Sequence, residues 1–178
     1  MTSIGRILST GVLAVLVPLA AHAQATINLL DYSATVPAGW LIAPATSSMR
    51  LAQYTIPAAG GQTGAEVVVY FFGKGQGGNV DANLTRWKAQ FSTPDGSAVY
   101  EKVTRDTASA IPLTVAEYRG TYARGIGAAD AANAKPGQSL IAVIAETPRG
   151  TLFFQLFGAT ANVTKQRDAL IAFARSLK

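Results

Sequence analysis

The apolar and polar positions of this chain follow a period of two over most of its length, which predicts β-strands. Ala65–Phe72 is β-branched and aromatic almost throughout, a pattern typical of a central strand covered on both faces. Met49–Ile56 places polar or small residues between larger apolar ones, which predicts a half-buried strand that ends at Pro57. The same reasoning predicts further strands at Tyr32–Val36, Trp40–Ala43, Ala98–Asp106, Leu113–Tyr122, Leu140–Glu146 and Thr151–Phe157.

Two segments change to the period of an α-helix. In the first, Asn79 or Asp81 can cap the opening turn and Pro94-Asp95-Gly96 ends the unit. The second helix is predicted from about Asn162 to Leu177. Since Trp87 falls on the apolar side of the first helix, we expect it to pack in the core. The apolar face of that first helix comprises Val80, Leu84, Trp87 and Phe91.

Short turns between consecutive strands predict an antiparallel sheet. Thr147-Pro148-Arg149-Gly150 is a good hairpin turn, and the two helices can each cover the sheet with their apolar side. Ala123–Gln138 is rich in glycine and alanine and is predicted to be a mobile loop. The predicted fold class is therefore α+β, with an antiparallel β-sheet covered by two helices in an α/β/α sandwich.

The first 23 residues have the order of a secretory signal peptide. A basic start, Met1–Arg6, precedes the apolar run Ile7–Ala21, and Ala21-His22-Ala23 is a small-x-small cleavage site. The apolar run is too short for a membrane-spanning helix, which needs about 20 residues. We therefore expect a signal peptide at 1–23 and a single domain at 24–178, periplasmic or secreted and not inserted in a membrane after cleavage.

The residue content removes most catalytic and metal chemistry. The chain has no cysteine, and its one histidine, His22, leaves with the signal peptide. Histidine-based triads are thereby excluded, and zinc, copper and haem sites usually need histidine or cysteine. We predict no metal and no cofactor. A hydrolase using paired carboxylates or a Ser–Lys arrangement stays open as an alternative, without residues that can be assigned to it.

The charge of the chain is mildly basic and dispersed. The formal net charge is +5, and the lysines and arginines form no run of five or more. Nucleic-acid binding needs a concentrated basic face. The sequence therefore predicts a solvated surface and no nucleic-acid partner.

One glycine-rich segment and one tryptophan are the candidate site residues. The segment from Gly73 to Gly78 satisfies G-x-G-x-x-G between a predicted strand and a predicted helix, but the repeated parallel units of a dinucleotide-binding fold are missing. Either it is a connector whose glycines adopt positive φ, or it is an anion-binding nest. The residues of this candidate ligand or anion loop are Gly73, Lys74, Gly75, Gly77 and Gly78. Trp40, after a Pro-Ala-Gly turn, is a candidate surface aromatic that could stack on a sugar ring or line a groove.

The order of the predicted elements, with Val36-Pro37-Ala38-Gly39-Trp40 near the start, resembles the PsbP-like α/β/α sandwich. Four further segments are similar to a set of uncharacterised exported bacterial proteins: Ser48–Tyr54, Phe72–Gly78, Asn83–Trp87 and Gln90-Phe91. The resemblance implies a fold and transfers no catalytic residue. PsbP-like domains serve as binding and assembly modules, which implies the same kind of role here by analogy of fold.

Together these observations predict an exported, non-enzymatic binding or protein-interaction domain. Its partner would be an envelope protein or a small ligand. The alternative is a carrier of a small apolar ligand, which a cavity between sheet and helix with a few inward polar groups would favour.

Overall fold

The computed structural model describes residues 25–58, 63–107, 109–125 and 133–178. The predicted signal peptide at 1–23 lies outside them, as does residue 24. Ten strands and two helices lie within the described residues. In chain order they are β1 (Thr26–Leu29), β2 (Tyr32–Thr35), β3 (Leu41–Ile42), β4 (Arg50–Pro57), β5 (Thr63–Phe71), α1 (Val80–Lys88), β6 (Phe91–Ser92), β7 (Tyr100–Asp106), β8 (Leu113–Tyr122), β9 (Lys135–Thr147), β10 (Gly150–Ala159) and α2 (Thr160–Arg175).

Eight of these strands form one sheet in the order β3-β4-β5-β10-β9-β8-β6, with β7 also paired to β8. Every pairing among them is antiparallel. Strands β1 and β2 form a separate antiparallel pair. The predicted α+β class with an antiparallel sheet and two helices is confirmed.

The two helices pack on opposite faces of the sheet, because neighbouring residues of a strand point to opposite sides. Along β10, Phe154 lies in the core cluster that contains the α2 residues, whereas Phe153 lies in the cluster that contains Trp87 of α1. Along β5, Val67 and Val68 divide in the same way, and neither is exposed. The prediction that this strand is covered on both faces is confirmed.

Helix α2 closes one face with a row of buried side chains. Val163, Leu170 and Phe173 are at most 1% exposed. The ring of Phe173 meets Phe154 edge to face at 5.4 Å between centroids. The helix begins two residues before the predicted start, directly after β10.

Helix α1 covers the other face and is shorter than predicted. Asn79 caps it as expected, because its side-chain oxygen accepts a hydrogen bond of 2.8 Å from the Ala82 N–H. Trp87 is 2% exposed, so its predicted place in the core is confirmed. Phe91 lies beyond the helix in β6, where its Cα pairs with Tyr122.

One strand is longer than predicted, and another strand was not predicted. Strand β9 begins at Lys135 rather than Leu140, so the last part of the predicted mobile loop Ala123–Gln138 is strand. Its ladder with β8 continues past Gly120 through a register shift. Residues 126–132 of the predicted loop lie outside the described residues. Strand β1 was not predicted: its four residues alternate between polar and apolar, but the run is short.

The last residues of the chain bind strand β2. The Ser33 N–H donates to the Lys178 carbonyl at 3.0 Å, and the Lys178 N–H donates back at 3.2 Å. The Thr35 N–H donates to the Ser176 hydroxyl at 2.8 Å. The small β1–β2 pair is thereby fixed to the end of α2. No helix among the described residues has the length and apolar character needed to cross a membrane.

Candidate functional site

A cavity of about 460 Å³ opens on the sheet face that α1 covers only in part. With nine residues, α1 is about 14 Å long, whereas the ten residues of β10 extend for about 33 Å. Contacts also draw the helix toward β7 and β8: Lys88 pairs with Glu101 at 2.6 Å, and the Tyr118 hydroxyl donates to the Leu84 carbonyl at 3.1 Å. The ends of β5 and β10 are therefore left uncovered, and the cavity lies there.

The floor of the cavity comes from neighbouring strands of the sheet. Glu66 of β5 and Phe157 of β10 are Cα partners, so their side chains share this face. Ala159 lies two residues further along β10 on the same face. The floor thus combines an aromatic ring and a methyl group with one carboxylate.

Tyr122, at the end of β8, forms one wall. Its ring stacks on Phe91 with centroids 4.6 Å apart and planes inclined by 12°. The residue is 7% exposed, and its hydroxyl is not one of the buried side-chain oxygens without a partner among the described residues, so the hydroxyl reaches the cavity. Burial raises the pKa of Tyr122 to about 12, with Arg124 opposing the rise and Tyr70 adding to it. The hydroxyl consequently keeps its proton at neutral pH and can donate a hydrogen bond to a ligand.

Arg124 reaches across the cavity from the segment after β8. The backbone of that segment is held by Gln90, whose carbonyl accepts from the Ala123 N–H at 2.9 Å. The Arg124 guanidinium carbon lies 3.7 Å from the centroid of the Phe157 ring. Its nitrogens lie 3.8 Å from the Glu66 carboxylate and 3.2 Å from the Tyr70 hydroxyl. This arginine is thereby positioned over the apolar floor.

Lys135, at the start of β9, supplies a second cation. It is the Cα partner of Tyr122, so the two side chains leave the sheet on the same face. No carboxylate among the described residues pairs with Lys135, whereas Arg124 has Glu66. The described lining of the cavity holds two cations and one carboxylate. Its local charge is therefore positive.

Sequence reasoning did not identify this site. Its residues come from four separate strands and from the segments next to β8 and β9, and none belongs to a short motif. The sequence indicates Tyr122 only as the end of a predicted strand and Arg124 only as one of the dispersed basic residues. The one local signal was the alternation Tyr122-Ala123-Arg124, which places an aromatic and a basic side chain on the same side of an extended chain.

The predicted ligand loop, Gly73 to Gly78, lies between β5 and α1 at the opposite end of the same face. Four of its glycines, Gly73, Gly75, Gly77 and Gly78, have positive φ, as the connector interpretation expects. A Cβ at Gly77 would lie 2.9 Å from ring atoms of Phe72 and Phe153, so the backbone there is in close contact with the core. The loop is packed rather than open at this point.

The polar groups around this loop bind one another. Asn83 is 1% exposed, and its side-chain amide donates to the Gly77 carbonyl at 2.8 Å and to the Asn79 carbonyl at 2.9 Å. Lys74 is exposed to solvent. These contacts are the ones expected of a connector between β5 and α1. The interpretation of the loop as an anion-binding nest stays a hypothesis.

Trp40 is not a surface side chain, which corrects its interpretation as a candidate surface aromatic. It is 7% exposed and packs against Tyr54 and Phe173 with ring centroids 5.6 Å and 5.5 Å apart. Its indole N–H donates to the Gln166 side chain of α2 at 3.0 Å. The Pro-Ala-Gly turn directs the ring under α2 rather than outward, so it cannot stack on an external sugar.

A second, smaller groove of about 170 Å³ lies between β7, β8 and α2. It adjoins the buried Glu117, whose carboxylate accepts a hydrogen bond of 2.9 Å from Arg167. That bond is the main cause of the raised pKa of Arg167. Arg175 pairs with Asp106 at 2.7 Å. Since these charges are engaged with one another, the groove is best explained as a structural ion-pair network.

Among the described residues, no group of three or more histidine, cysteine, aspartate or glutamate side chains is placed to hold a metal ion. Comparison with known proteins gives no match, either to a protein-family model or to a curated protein sequence.

Proposed function

We propose that residues 24–178 form an exported, non-enzymatic binding domain that takes a small ligand in the 460 Å³ cavity lined by Tyr122 and Arg124. The observation that carries this proposal is the cavity itself. Small-molecule sites occupy about 300–1,000 Å³ and combine apolar walls with a few polar groups. The volume of this cavity lies in that range, and its described lining combines Tyr122, Phe157 and Ala159 with polar and charged side chains. Of the functions that the sequence predicts, a domain that binds a small ligand is the best supported. The cavity lies beside α1 and not between the sheet and a helix, where the small-apolar-ligand carrier would have it.

The PsbP-like architecture belongs to the same proposal. An antiparallel sheet with one helix on each face, and Trp40 packed behind Pro37-Ala38-Gly39, support it. Export is supported by the order of the first 23 residues and is tested by N-terminal sequencing of the protein from the cell envelope. A chain that starts at Gln24 agrees with the proposal, whereas an intact Met1 contradicts it.

Ligand binding is tested by heteronuclear NMR with a set of small neutral aromatic alcohols. We expect shift changes at Tyr122, Phe157 and their neighbours. Ala159→Trp should fill the cavity and abolish these changes, because Ala159 lines it. Ala172→Trp, on the exposed side of α2, is the matched control and should leave them intact. Failure of every probe to bind, or equal binding to both variants, would contradict the proposal.

A protein-interaction role is the second candidate, and one observation favours it. Leu41 and Ile42 of the edge strand β3 are 54% and 83% exposed, an unusual degree for adjacent large apolar residues. A photo-crosslinker placed at position 42 should then give one defined product in the native envelope. A product equally abundant with the crosslinker at position 172 would argue against this candidate.

A further inference from the structure

We infer that the ligand of the cavity is an organic acid, with its carboxylate held by Tyr122 and Lys135 and its apolar body lying against Arg124, which covers the Phe157 ring. This inference rests on the proposed binding function and specifies the class of ligand. It starts from two groups that have no partner within the described residues: the Tyr122 hydroxyl and the Lys135 ammonium. Both belong to one cross-strand pair, so one acid group can meet both of them.

The balance of charge favours an anion over a cation. Glu66 is the one carboxylate of the described lining, and Arg124 lies 3.8 Å from it. A ligand amine would compete with Arg124 for Glu66 and would face Lys135 as well. A ligand carboxylate instead gains a charge-assisted hydrogen bond from Lys135, and such bonds are stronger than those between neutral groups.

Tyr122 adds a hydrogen-bond donor at the wall of the cavity. Tyr122 is 7% exposed, and Phe91 covers one side of its ring. Its hydroxyl is not one of the buried oxygens that lack a partner among the described residues, so it reaches the cavity and can donate to a ligand there. Because the pKa of Tyr122 is about 12, its hydroxyl keeps the proton at neutral pH. Tyr122 therefore acts as the donor and the ligand as the acceptor.

The remainder of the ligand is apolar and flat. The Arg124 guanidinium lies 3.7 Å from the Phe157 ring centroid, and Ala159 lines the cavity on the same face. A planar aromatic body fits beside a ring and an aligned guanidinium, which attract π-systems. An aromatic carboxylate therefore satisfies the apolar and the polar parts of the cavity together.

The test compares three probes of similar shape: cinnamate, cinnamyl alcohol and cinnamylamine, with dissociation constants from NMR titration. We expect cinnamate to bind at least about tenfold more tightly than the alcohol, as one charge-assisted hydrogen bond would provide. Lys135→Met should reduce this preference while leaving the affinity for the alcohol nearly unchanged. Tyr122→Phe should weaken the binding of cinnamate more than that of the alcohol, because a hydrogen bond to a charged acceptor is the stronger one. Lys102→Met and Tyr100→Phe on the exposed strand β7 are the matched controls and should keep it.

The outcomes separate this inference from the function on which it rests. Equal binding of cinnamate and the alcohol at the cavity, or tighter binding of the amine, would overturn the acid assignment and leave a small-ligand site. A preference for cinnamate that survives Lys135→Met but falls with Lys102→Met would also overturn it. Absence of binding by all three probes at the cavity would count against both the inference and the binding function.

Discussion

Trp87 carries more of the packing around α1 than any other side chain of that helix. It is 2% exposed and meets the Phe153 ring edge to face at 6.2 Å. Trp87→Ala would leave a large cavity between the helix and the sheet, and we expect a loss of about 3–5 kcal/mol in the free energy of unfolding. Chemical denaturation measures this loss.

The control for that variant is Ile42→Ala, at a residue that is 83% exposed. It should change stability by no more than about 0.5 kcal/mol. A loss below about 1 kcal/mol for Trp87→Ala would mean that the helix does not depend on this side chain.

Tyr122 should make stability depend on pH in the alkaline range. Burial raises its pKa from 10.0 to about 12. Between these values the native state keeps a proton that the unfolded chain releases, so the contribution of Tyr122 is complete below pH 10 and is lost as pH rises toward 12. Denaturant midpoints at increasing pH should fall more steeply for the natural protein than for Tyr122→Phe.

Lysines also titrate in this range, but the comparison of the two proteins cancels their effect. Parallel pH profiles would show that the Tyr122 hydroxyl ionises equally well in the folded and unfolded states.

At the scale of elements, the loop before α1 offers a matched pair of glycines. Gly75 and Gly77 have φ of +74° and +89°, so an alanine at either position is strained by about 1–2 kcal/mol. Only at Gly77 would the new Cβ also meet Phe72 and Phe153, at 2.9 Å. Gly77→Ala should therefore lose about 1–3 kcal/mol more than Gly75→Ala, since overpacking adds to the strain.

Denaturation of the two variants gives this difference directly. Equal losses would mean that the loop can move away from the rings. In that case its backbone would be free enough to approach an anion, as the nest hypothesis requires.

The sequence predicted those elements whose pattern is set by local burial. Strand β8 has the predicted bounds, Leu113–Tyr122, because its residues are buried on both faces. The end of α1 was not predicted, since Phe91 continues the helical spacing but pairs with Tyr122 across the sheet. Trp40 was misplaced for a related reason: a turn does not reveal that α2, far along the chain, will cover the ring.

The cavity could not be predicted from local pattern at all. It exists because α1 is shorter than the sheet is long, and because Arg124 crosses to β5 and β10. Both facts depend on strand order, which places β10 between β5 and β9. Sequence pattern gives each strand and its exposed side, but not which distant strand becomes its neighbour.

At the scale of the molecule, most of the sheet consists of two local meanders joined where β5 pairs with β10, a contact we call the seam; the short strand β6 pairs with β8 outside both. Strands β3 to β5 pair with their neighbours in sequence, and so do β7 to β10, whereas β5 pairs with β10 across the long segment between them. Contacts that close long loops form slowly. We expect the β8–β10 meander to form in the folding transition state and the seam to form after it.

Stopped-flow kinetics test this order with two valine-to-alanine variants in buried positions. Val143→Ala, in β9, should mainly slow folding, whereas Val69→Ala, at the seam, should mainly speed unfolding. The reverse pattern would place the seam in the nucleus.

The seam also has a consequence for the chain while it is being made. Strand β5 leaves the ribosome long before β10, its partner along one edge, has been synthesised. During that interval the run of valines and aromatics in Ala65–Phe72 presents an open edge and two uncovered faces, the combination that most readily pairs with other chains. Nascent chains stalled before Gly150 should therefore bind holdase chaperones or aggregate. Chaperone binding or aggregation should decrease once β10 has been synthesised.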